Sequence, residues 1–327
     1  MLWQDLKPGS VGLAPMAGIT DSPFRQLCRE YGADFVMSEM ISAVGVCLNQ
    51  TQEMWDLETN SWTAGSKSLE YARLTDKERP VILQIFGNDP AKMAKAARII
   101  IDRFSPDGID INMGCPVRKV MKTGSGVALM DKPELAARIV QTVKKAIKGT
   151  PLSVKTRLGV KDNNIAKLAP LLADAGADAL IIHGRRQADL FKGPVDYATI
   201  GEVTKLVGIP VIANGGIVNQ GIHTKVIAET NARATIIGQA AKGNPFIFKQ
   251  IKDPSYQPTW KEKVKTIIRH TALQIDYRQD ETYALKEMRK HYAWYIKGLK
   301  NAAQWRQKLV RVTTLNEVKE ILLDIDG

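Results

Sequence analysis

The sequence predicts an α/β fold: a (β/α)8 barrel, the TIM-barrel architecture, followed by a smaller all-α helical domain. Three observations lead there. Eight apolar, strand-like runs alternate with amphipathic helical patterns, the mark of a parallel sheet covered by helices. Polar and reactive residues collect at the C-terminal ends of those runs, where barrels keep their sites. After Ile251 strand alternation stops and only helical spacing remains.

In order, the runs are residues 11–15, 33–38, 80–86, 108–112, 152–157, 179–183, 209–214 and 234–238. Between them lie amphipathic stretches such as 90–103, 132–148, 165–175 and 197–206. Gly32-Ala33, Gly176-Ala177 and Gly208-Ile209-Pro210 stand where a helix ends and the next strand begins. Eight such units in about 240 residues favour a closed barrel over an open doubly wound sheet. The strand ends carry Pro15-Met16-Ala17, Glu39, Gln84, Asn112 with Cys115, Lys155 with Arg157, His183 with Arg185, Asn214-Gly215-Gly216, and Gly238-Gln239. Strands that simply end in polar residues at a surface would account for two or three of these. They do not account for a lysine and a histidine closing otherwise apolar runs.

Two domains are expected, a barrel over residues 1–250 and a helical domain over 251–327. The connection from Cys47 to Arg79, with Trp55 and Trp62, is longer and more polar than the others. It reads either as a loop excursion at the site mouth or as a peripheral insertion. In the helical part, Leu285, Met288, Tyr292, Tyr295 and Leu299 follow a 3–4 spacing, one apolar stripe. Lys286, Lys290, Lys297 and Lys300 form a second stripe on roughly the opposite face. From 285 to 311 there are eight Lys or Arg against one acid, with His291, Trp294 and Trp305 interleaved. An ordinary solvated face is the plain reading of such charges. The near absence of balancing acids favours contact with a phosphate backbone.

Composition sets the outer bounds. The formal net charge of +12 raises the expectation of a polyanionic partner, nucleic acid first. With 44% hydrophobic and 24% charged residues the chain reads as globular, with a sizeable core. Three cysteines, none in a CxxC pair, argue against a disulfide framework and a structural zinc site. A reducing, cytoplasmic setting is expected. The N-terminal residues show no charged-then-apolar signal pattern, and no apolar run approaches the ~20 residues that span a bilayer. No exposed apolar repeat demands a second copy, so a monomer is expected.

The stretch DGIDINMGCPVRKVMKTGSGVALM (107–130) concentrates the chemistry. A short buried strand ends at Asn112-Met113-Gly114, and Cys115 follows with Pro116 locking the turn. Arg118, Lys119 and Lys122 come next. Such cations favour a thiolate or tune the thiol as an acid. The competing reading is a small buried hydrophobe, as free cysteines often are; Cys28 and Cys47 read that way. Glycine-rich ends on strands seven and eight, Asn214-Gly215-Gly216 and Gly238-Gln239, suit a phosphate held by backbone N–H groups. That would serve flavin mononucleotide (FMN), a phosphosugar or a nucleotide. No GxGxxG follows the first strand, and no HExxH or paired carboxylates stand out, which sets aside a Rossmann site, metal hydrolysis and glycosidase chemistry. Lys155 would serve an aldolase as a Schiff base. In a flavin barrel, Lys155 and His183 would donate to the isoalloxazine ring and Gln84 would meet its pyrimidine edge. Cys115 fits the flavin case better, as a proton donor to one carbon of a double bond that accepts hydride at the other.

The motifs APMAGITDSPFR (14–25), LQIFG (83–87), DINMGCPVRKVMKTGSG (110–126), VKTRLG (154–159), IHGR (182–185), LFKGPVDY (190–197), IPVIANGGI (209–217) and MRKHYAWYIKG (288–298) together resemble the tRNA-dihydrouridine synthases, most of all the bacterial B-type branch. The resemblance runs from about residue 11 to 300. It implies FMN-dependent reduction of the uracil C5–C6 bond in tRNA near the D arm, with NADPH supplying electrons. By that likeness hydride passes from FMN N5 to C6, and Cys115 protonates C5. Pro15, Met16, Ala17, Gln84, Lys155, His183, Asn214, Gly215, Gly216, Gly238 and Gln239 would cradle FMN. Asn112, Arg118, Lys119, Arg185, Arg289, Lys290, His291 and Lys297 would meet the substrate, whose target base is drawn out of its stack. No metal is implied.

Three positions depart from the family pattern. His183-Gly184-Arg185-Arg186-Gln187 stands for HGRTR, Gln239 for an arginine after strand eight, and Gly216 for an acid after ANG. Losing the arginine predicts weaker FMN retention than in a typical member. Two rivals remain: an FMN barrel reductase of a small pyrimidine, resembling the dihydroorotate enzymes, which has no use for a basic helical domain, and a non-catalytic tRNA-binding relative. A phosphosugar aldolase leaves Cys115 unexplained.

Overall fold

The computed structural model describes residues 2–48 and 67–325. Trp55 and Trp62 of the long polar connection lie outside the described residues. Eight parallel strands close into a barrel in sequence order. They are β1 (Ser10–Leu13), β2 (Val36–Ser42), β3 (Val81–Phe86), β4 (Gly108–Met113), β5 (Leu152–Arg157), β6 (Ala179–His183), β7 (Val211–Asn214) and β8 (Ala234–Ile237). Closure is made by β1 on β8, from Ser10 opposite Ala234 to Leu13 opposite Ile237.

The apolar runs form strands because both of their faces are covered. Alternate residues such as Met37, Ile82, Ile181, Ile212 and Ile236 fill the barrel interior, stoppered by Trp3 and Phe35. Their neighbours, among them Val11, Leu83, Ile111, Val154 and Ile182, pack outward against the helix ring. That ring includes Ser22–Glu30, Pro90–Phe104, Pro133–Ala146, Ile165–Asp174, Tyr197–Leu206 and Gln220–Thr230. Asp21, Asp89, Asp196 and Asn219 start four of these helices by accepting a backbone N–H, which supplies one of the partners a first turn lacks.

One strand departs from expectation. β2 continues to Ser42, and its register against β3 shifts between Met37 and Met40. Such an irregularity re-aims side chains at a sheet rim, and here it carries Met40 to the mouth and Glu39 to a cleft beside it. Elsewhere the strand-end residues stand where the alternation put them.

The C-terminal helices Trp260–Arg278, Glu281–Tyr295, Ala302–Leu309 and Leu315–Leu323 have their own apolar cluster around Ile267, Met288, Tyr292 and Val318. Thr259 and Glu262 cap the first reciprocally. This body is tied to the barrel through the Ser22–Glu30 helix and its flanks. Arg269 pairs with Glu30, and the Tyr31 and Thr266 hydroxyls share a hydrogen bond. The predicted stripe holds from Leu285 to Tyr295. The helix then ends, and Gly298 takes a left-handed φ of 88°. Leu299, Lys297 and Lys300 therefore belong to the following turn, not to the helix faces the spacing suggested.

Candidate active site at the barrel mouth

A cavity of about 330 Å3 opens at the C-terminal ends of the strands, within the usual range for small-molecule sites. Every residue named from the sequence as a cofactor contact lines it: Pro15, Met16, Ala17, Gln84, Lys155, His183, Asn214, Gly215, Gly216, Gly238 and Gln239. Cys115, Asn112 and Arg185 line it too. Arg157, named from the sequence only as a strand end, lines it as well, as do Met40 and Phe191, to which no site role was assigned. Among these described lining residues the charges are all positive, Lys155, Arg157 and Arg185.

Cys115 is held by a relay that starts inside the barrel. Asp110 accepts from Ser153 Oγ at 2.6 Å and from Gln84 Nε2 at 2.7 Å. Gln84 Oε1 accepts from Asn112 Nδ2 at 2.8 Å. Asn112 Oδ1 in turn accepts the backbone N–H of Gly114 at 3.1 Å and of Cys115 at 2.9 Å. Asn112 and Gln84 thus shape the turn that presents the thiol, beside any contact with a bound molecule. The interior carboxyl that begins the relay was legible: Asp110 is an ionisable residue flanked by Ile109 and Ile111 in a buried strand. Burial lifts it to about 7 against the pull of the Ser153 and Gln84 hydrogen bonds.

From the other side Arg157 fastens the loops together. Its Nε donates to Gly114 O at 2.9 Å, and Nη1 donates to Arg186 O at 3.1 Å and Leu190 O at 3.0 Å. Its guanidinium also lies 5.6 Å from the centre of the Phe191 ring. One side chain therefore joins the cysteine turn to the loop after β6.

The electrostatics settle the state of the thiol. Burial pushes Cys115 up from its ordinary value, and the Val117 N–H, Arg157 and Lys155 only partly oppose it. The neighbouring cations do not make a standing thiolate; Cys115 is a protonated thiol. Lys155 is lowered to about 8 by burial and then by Arg157, and Nζ donates to Asn214 Oδ1 at 3.1 Å. Asn214 is itself oriented by donating to Ile236 O at 2.9 Å. An ammonium has three donors, so Lys155 keeps capacity for the cavity it lines. His183 is lowered to about 2 by burial and then by Lys155, Arg157 and Arg185, so its imidazole is neutral. Arg185 Nη1 makes a long 3.5 Å contact with His183 Nε2. Since arginine only donates, this favours the proton on Nδ1.

The residues fit a phosphate-bearing, hydride-carrying cofactor such as FMN. Gly215 has φ 117°, and a β-carbon there would sit 2.7 Å from His183 Cδ2. Gly238 differs: its nearest neighbour would be Met16 Sδ at 3.6 Å, so the protein itself leaves that space open. Gly216, which stands where the family pattern has an acid, has φ 71°, and a β-carbon there would meet Tyr197 Oη at 2.9 Å. That hydroxyl donates to Gly215 O at 2.8 Å. Arg186, another departure, is spent on Asp189, with Nη2–Oδ1 at 3.0 Å.

The expected substrate contacts divide. Arg118 and Lys119 are exposed on the short helix Arg118–Lys122 just beyond Cys115. Arg289 and Lys297 are exposed on the helical body. Lys290 is half-buried and lines a second cleft beside the mouth. His291 does not meet the surface expectation. It is 1% exposed, wedged against Phe24 of the barrel, His270 and Trp294 at centroid distances of 5.7, 4.5 and 5.2 Å. Position 291 adjoins Tyr292 on the apolar stripe, so packing claimed it.

The family model for dihydrouridine synthases (Dus) matches residues 12–326. The chain is 35% identical to a tRNA-dihydrouridine synthase B of Pseudomonas aeruginosa over 93% of this chain and 89% of that one. It is 35% identical to a tRNA-dihydrouridine synthase B of Pasteurella multocida over 96% and 91%. A probable tRNA-dihydrouridine synthase of Aquifex aeolicus is 31% identical over 96% and 95%. Among solved structures, the old yellow enzyme of Trypanosoma cruzi superposes with a TM-score of 0.53 at 11% identity, over 80% of this chain and 96% of that one. That likeness is one of fold. Motifs, site and whole-length similarity agree, and the chain belongs to the dihydrouridine synthase family.

Proposed function

We propose that the protein reduces uridine in tRNA to 5,6-dihydrouridine, with FMN in the barrel mouth and NADPH as electron donor. Family membership supports the coarse activity, uridine reduction in tRNA. The observation that carries the finer reading is the barrel mouth itself: a protonated Cys115 held over a cation-lined cavity with glycine-rich strand ends. When bound, FMN supplies hydride-transfer chemistry. Lys155, His183, Asn214 and Gln84 would hold the ring system, and the backbone around Gly215, Gly216, Gly238 and Gln239 its phosphate.

The residues' own part is proton delivery and positioning. Adding hydride to C6 of uracil leaves negative charge on C5 and its carbonyl. The Cys115 S–H bond breaks and its proton forms the C5–H bond. Arg157 and Lys155, which already oppose the upward shift of the thiol, would stabilise the thiolate left behind. Uracil offers carbonyl acceptors, which suits a mouth whose described lining has cations and amides and no carboxylate. The division of labour follows: residues 1–250 as the catalytic domain, and 251–327 holding the D-arm region of the tRNA by shape and phosphates. Exposed Arg289 and Lys297, with Arg118 and Lys119 beside the cysteine turn, are the assigned phosphate contacts. Arg185 in the mouth and half-buried Lys290 are assigned to the nucleotide itself. A monomer, free of metal, suffices for this scheme. With Gln239 exposed in place of an arginine, FMN is held without that extra charge and should be lost on dialysis more readily than in a typical member.

The visible spectrum tests the reading. Flavin bands that bleach with NADPH and recover anaerobically on adding unmodified tRNA are expected. A colourless protein that takes up no FMN yet binds tRNA would replace the enzyme with a non-catalytic RNA-binding relative.

A further inference from the structure

A second cavity of about 330 Å3 adjoins the mouth and shares Ala17 and Met40 with it. Its walls come from two bodies. The barrel brings Asp21, the cap of the Ser22–Glu30 helix, and Glu39, at the register shift in β2. The helical body brings Arg278, Tyr283 and Lys290. Where the described lining of the mouth carries no carboxylate, this cleft sets acids and cations face to face.

Some of that charge is already used. Arg278 is engaged by Glu287, through Nε at 2.6 Å and Nη2 at 3.0 Å, and by Glu70. Asp21 accepts the Phe24 N–H at 3.2 Å. What is left over is Lys290 facing two carboxylates, Glu39 and the second oxygen of Asp21, whose charge adds to burial in raising Glu39. Glu39 receives the Gly18 N–H on one oxygen, and no described residue bonds the other. Lys290 has no hydrogen bond or ion pair with any described residue, although its charge is felt by both Asp21 and Glu39. The Tyr283 hydroxyl is likewise without a described partner. Burial lifts Glu39 to about 7; a donor brought to its free oxygen would favour the charged form.

We propose that this cleft is a subsite for a guanine base of the same RNA whose uridine enters the mouth. The proposal rests on the chain acting on RNA. An acceptor and a cationic donor facing one space ask for a ligand edge that has donors next to an acceptor. Guanine has N1–H and the 2-amino group side by side, with O6 adjoining. Its two donors suit the Glu39 carboxylate, and O6 suits the Lys290 ammonium. Adenine and cytosine have a single exocyclic amino donor beside acceptors, and uracil has one N–H between two acceptors. None matches a carboxylate in the same way. Unpaired RNA bases are read by such edges, with aromatic side chains nearby, and Tyr71 and Tyr283 line the cleft. The two cavities would therefore read two nucleotides of different type: a uracil where the walls donate, a guanine where a carboxylate accepts.

The test uses the full-length protein and unmodified tRNA transcripts in which one loop guanosine at a time is replaced by inosine, lacking only the 2-amino group, or by 6-thioguanosine, which keeps N1–H and the 2-amino group but puts a weakly accepting sulfur in place of O6. One position is expected at which inosine weakens wild-type binding about tenfold, the size of a lost charge-assisted base contact. The Glu39→Gln variant should bind the inosine and guanosine transcripts within about twofold of each other. Lys290 is half-buried, and Lys290→Met is the gentler variant should Glu39→Gln fold poorly. It should lose discrimination against 6-thioguanosine at that same position. Equal affinity for all transcripts, or unchanged discrimination in both variants, overturns the subsite. Failure of the wild type to bind any unmodified tRNA would instead overturn the RNA-directed function beneath it.

Discussion

The barrel mouth and the C-terminal helices both present cations, and they use them in opposite ways. At the mouth Lys155 and Arg157 are each fixed by named acceptors, Asn214 on one side and the Gly114, Arg186 and Leu190 carbonyls on the other. On the helical body Lys286 and Arg289, and Lys297 in the turn that follows, stand exposed, and no hydrogen bond fixes them among the described residues. The mouth is preorganised, so removing one group there should change chemistry sharply. The helices offer many weak, interchangeable contacts, so removing one should change affinity slightly and uniformly. The proposed function accordingly puts catalysis where side chains are immobilised and RNA holding where they are not.

The largest effect should come from Cys115. A positioned proton donor contributes roughly 10²–10⁴-fold, so Cys115→Ala should lose turnover in that range while tRNA affinity stays within about twofold. Retention of activity within a few-fold of wild type in anaerobic single-turnover reoxidation would remove the thiol as the proton source and blur the contrast between the two regions.

The two glycine sites sharpen it next. Gly215→Ala forces a β-carbon to 2.7 Å from His183 at φ 117°, where an L side chain is strained. Flavin binding and thermal stability should both fall. Gly238→Ala meets nothing closer than 3.6 Å, so its melting temperature should hold while flavin affinity falls about tenfold, a ligand-side clash alone. Equal flavin affinity in Gly238→Ala and wild type would place the cofactor elsewhere in the cavity.

Lys155 makes the third contrast one of pH. Its pKa is about 8 in the folded chain against an ordinary 10.5. Its charge is therefore lost as pH rises through 8, and FMN affinity should decline from pH 7 to 9. Titration calorimetry in two buffers near pH 8.5 should show proton uptake on binding, because an anion restores the ammonium. The stability of the flavin-free chain runs the other way. Between about 8 and 10.5 the unfolded chain binds the proton that the folded chain has given up, so this group makes stability rise with pH there. In Lys155→Met both pH dependences should flatten; an unchanged decline in affinity would assign it to another group.

How far each region was legible follows from the same contrast. A strand's side-chain period is two, and barrel sites sit at strand ends, so Asn112, Lys155, His183 and Asn214 could be placed one by one. Cys115 followed as the residue beyond β4. What the sequence hid there was tertiary. Asp110 could be seen as a buried acid, but not that it orders Gln84, Asn112 and the cysteine turn in series. The neighbours of Cys115 left a thiolate and a thiol acid both open, and only burial, a property of the folded chain, favours the acid. On the helices the apolar stripe was read correctly through Tyr295, while the far side of a helix is not always solvent. His291 faces a second body, the barrel's Phe24, and a helical period contains no information about that neighbour. Glu39 was named as a strand end, yet the β2 register shift that turns it toward the adjoining cleft leaves no trace in the alternation.

The smallest expected effect separates Lys297 from His291, which looked alike in the sequence as cationic or aromatic members of one basic segment. Lys297 is exposed beyond the helix end. Lys297→Ala should weaken tRNA binding evenly across tRNA species and lower the slope of log affinity against log salt by about 1, with stability unchanged. His291 is held neutral, its pKa well below 6.5 through burial first and then His270 and Lys290. It carries no charge to exchange for a counterion, so His291→Ala should leave the salt slope alone and lower stability by opening the packing against Phe24 and Trp294. In the wild type, His270, lowered to about 3, acts in the same sense. As pH falls below 6.5 the unfolded chain takes up protons that these two folded imidazoles refuse, and stability declines. A salt slope reduced as much by His291→Ala as by Lys297→Ala would mean that the histidine is reached by RNA after all, and that the two bodies part when tRNA binds.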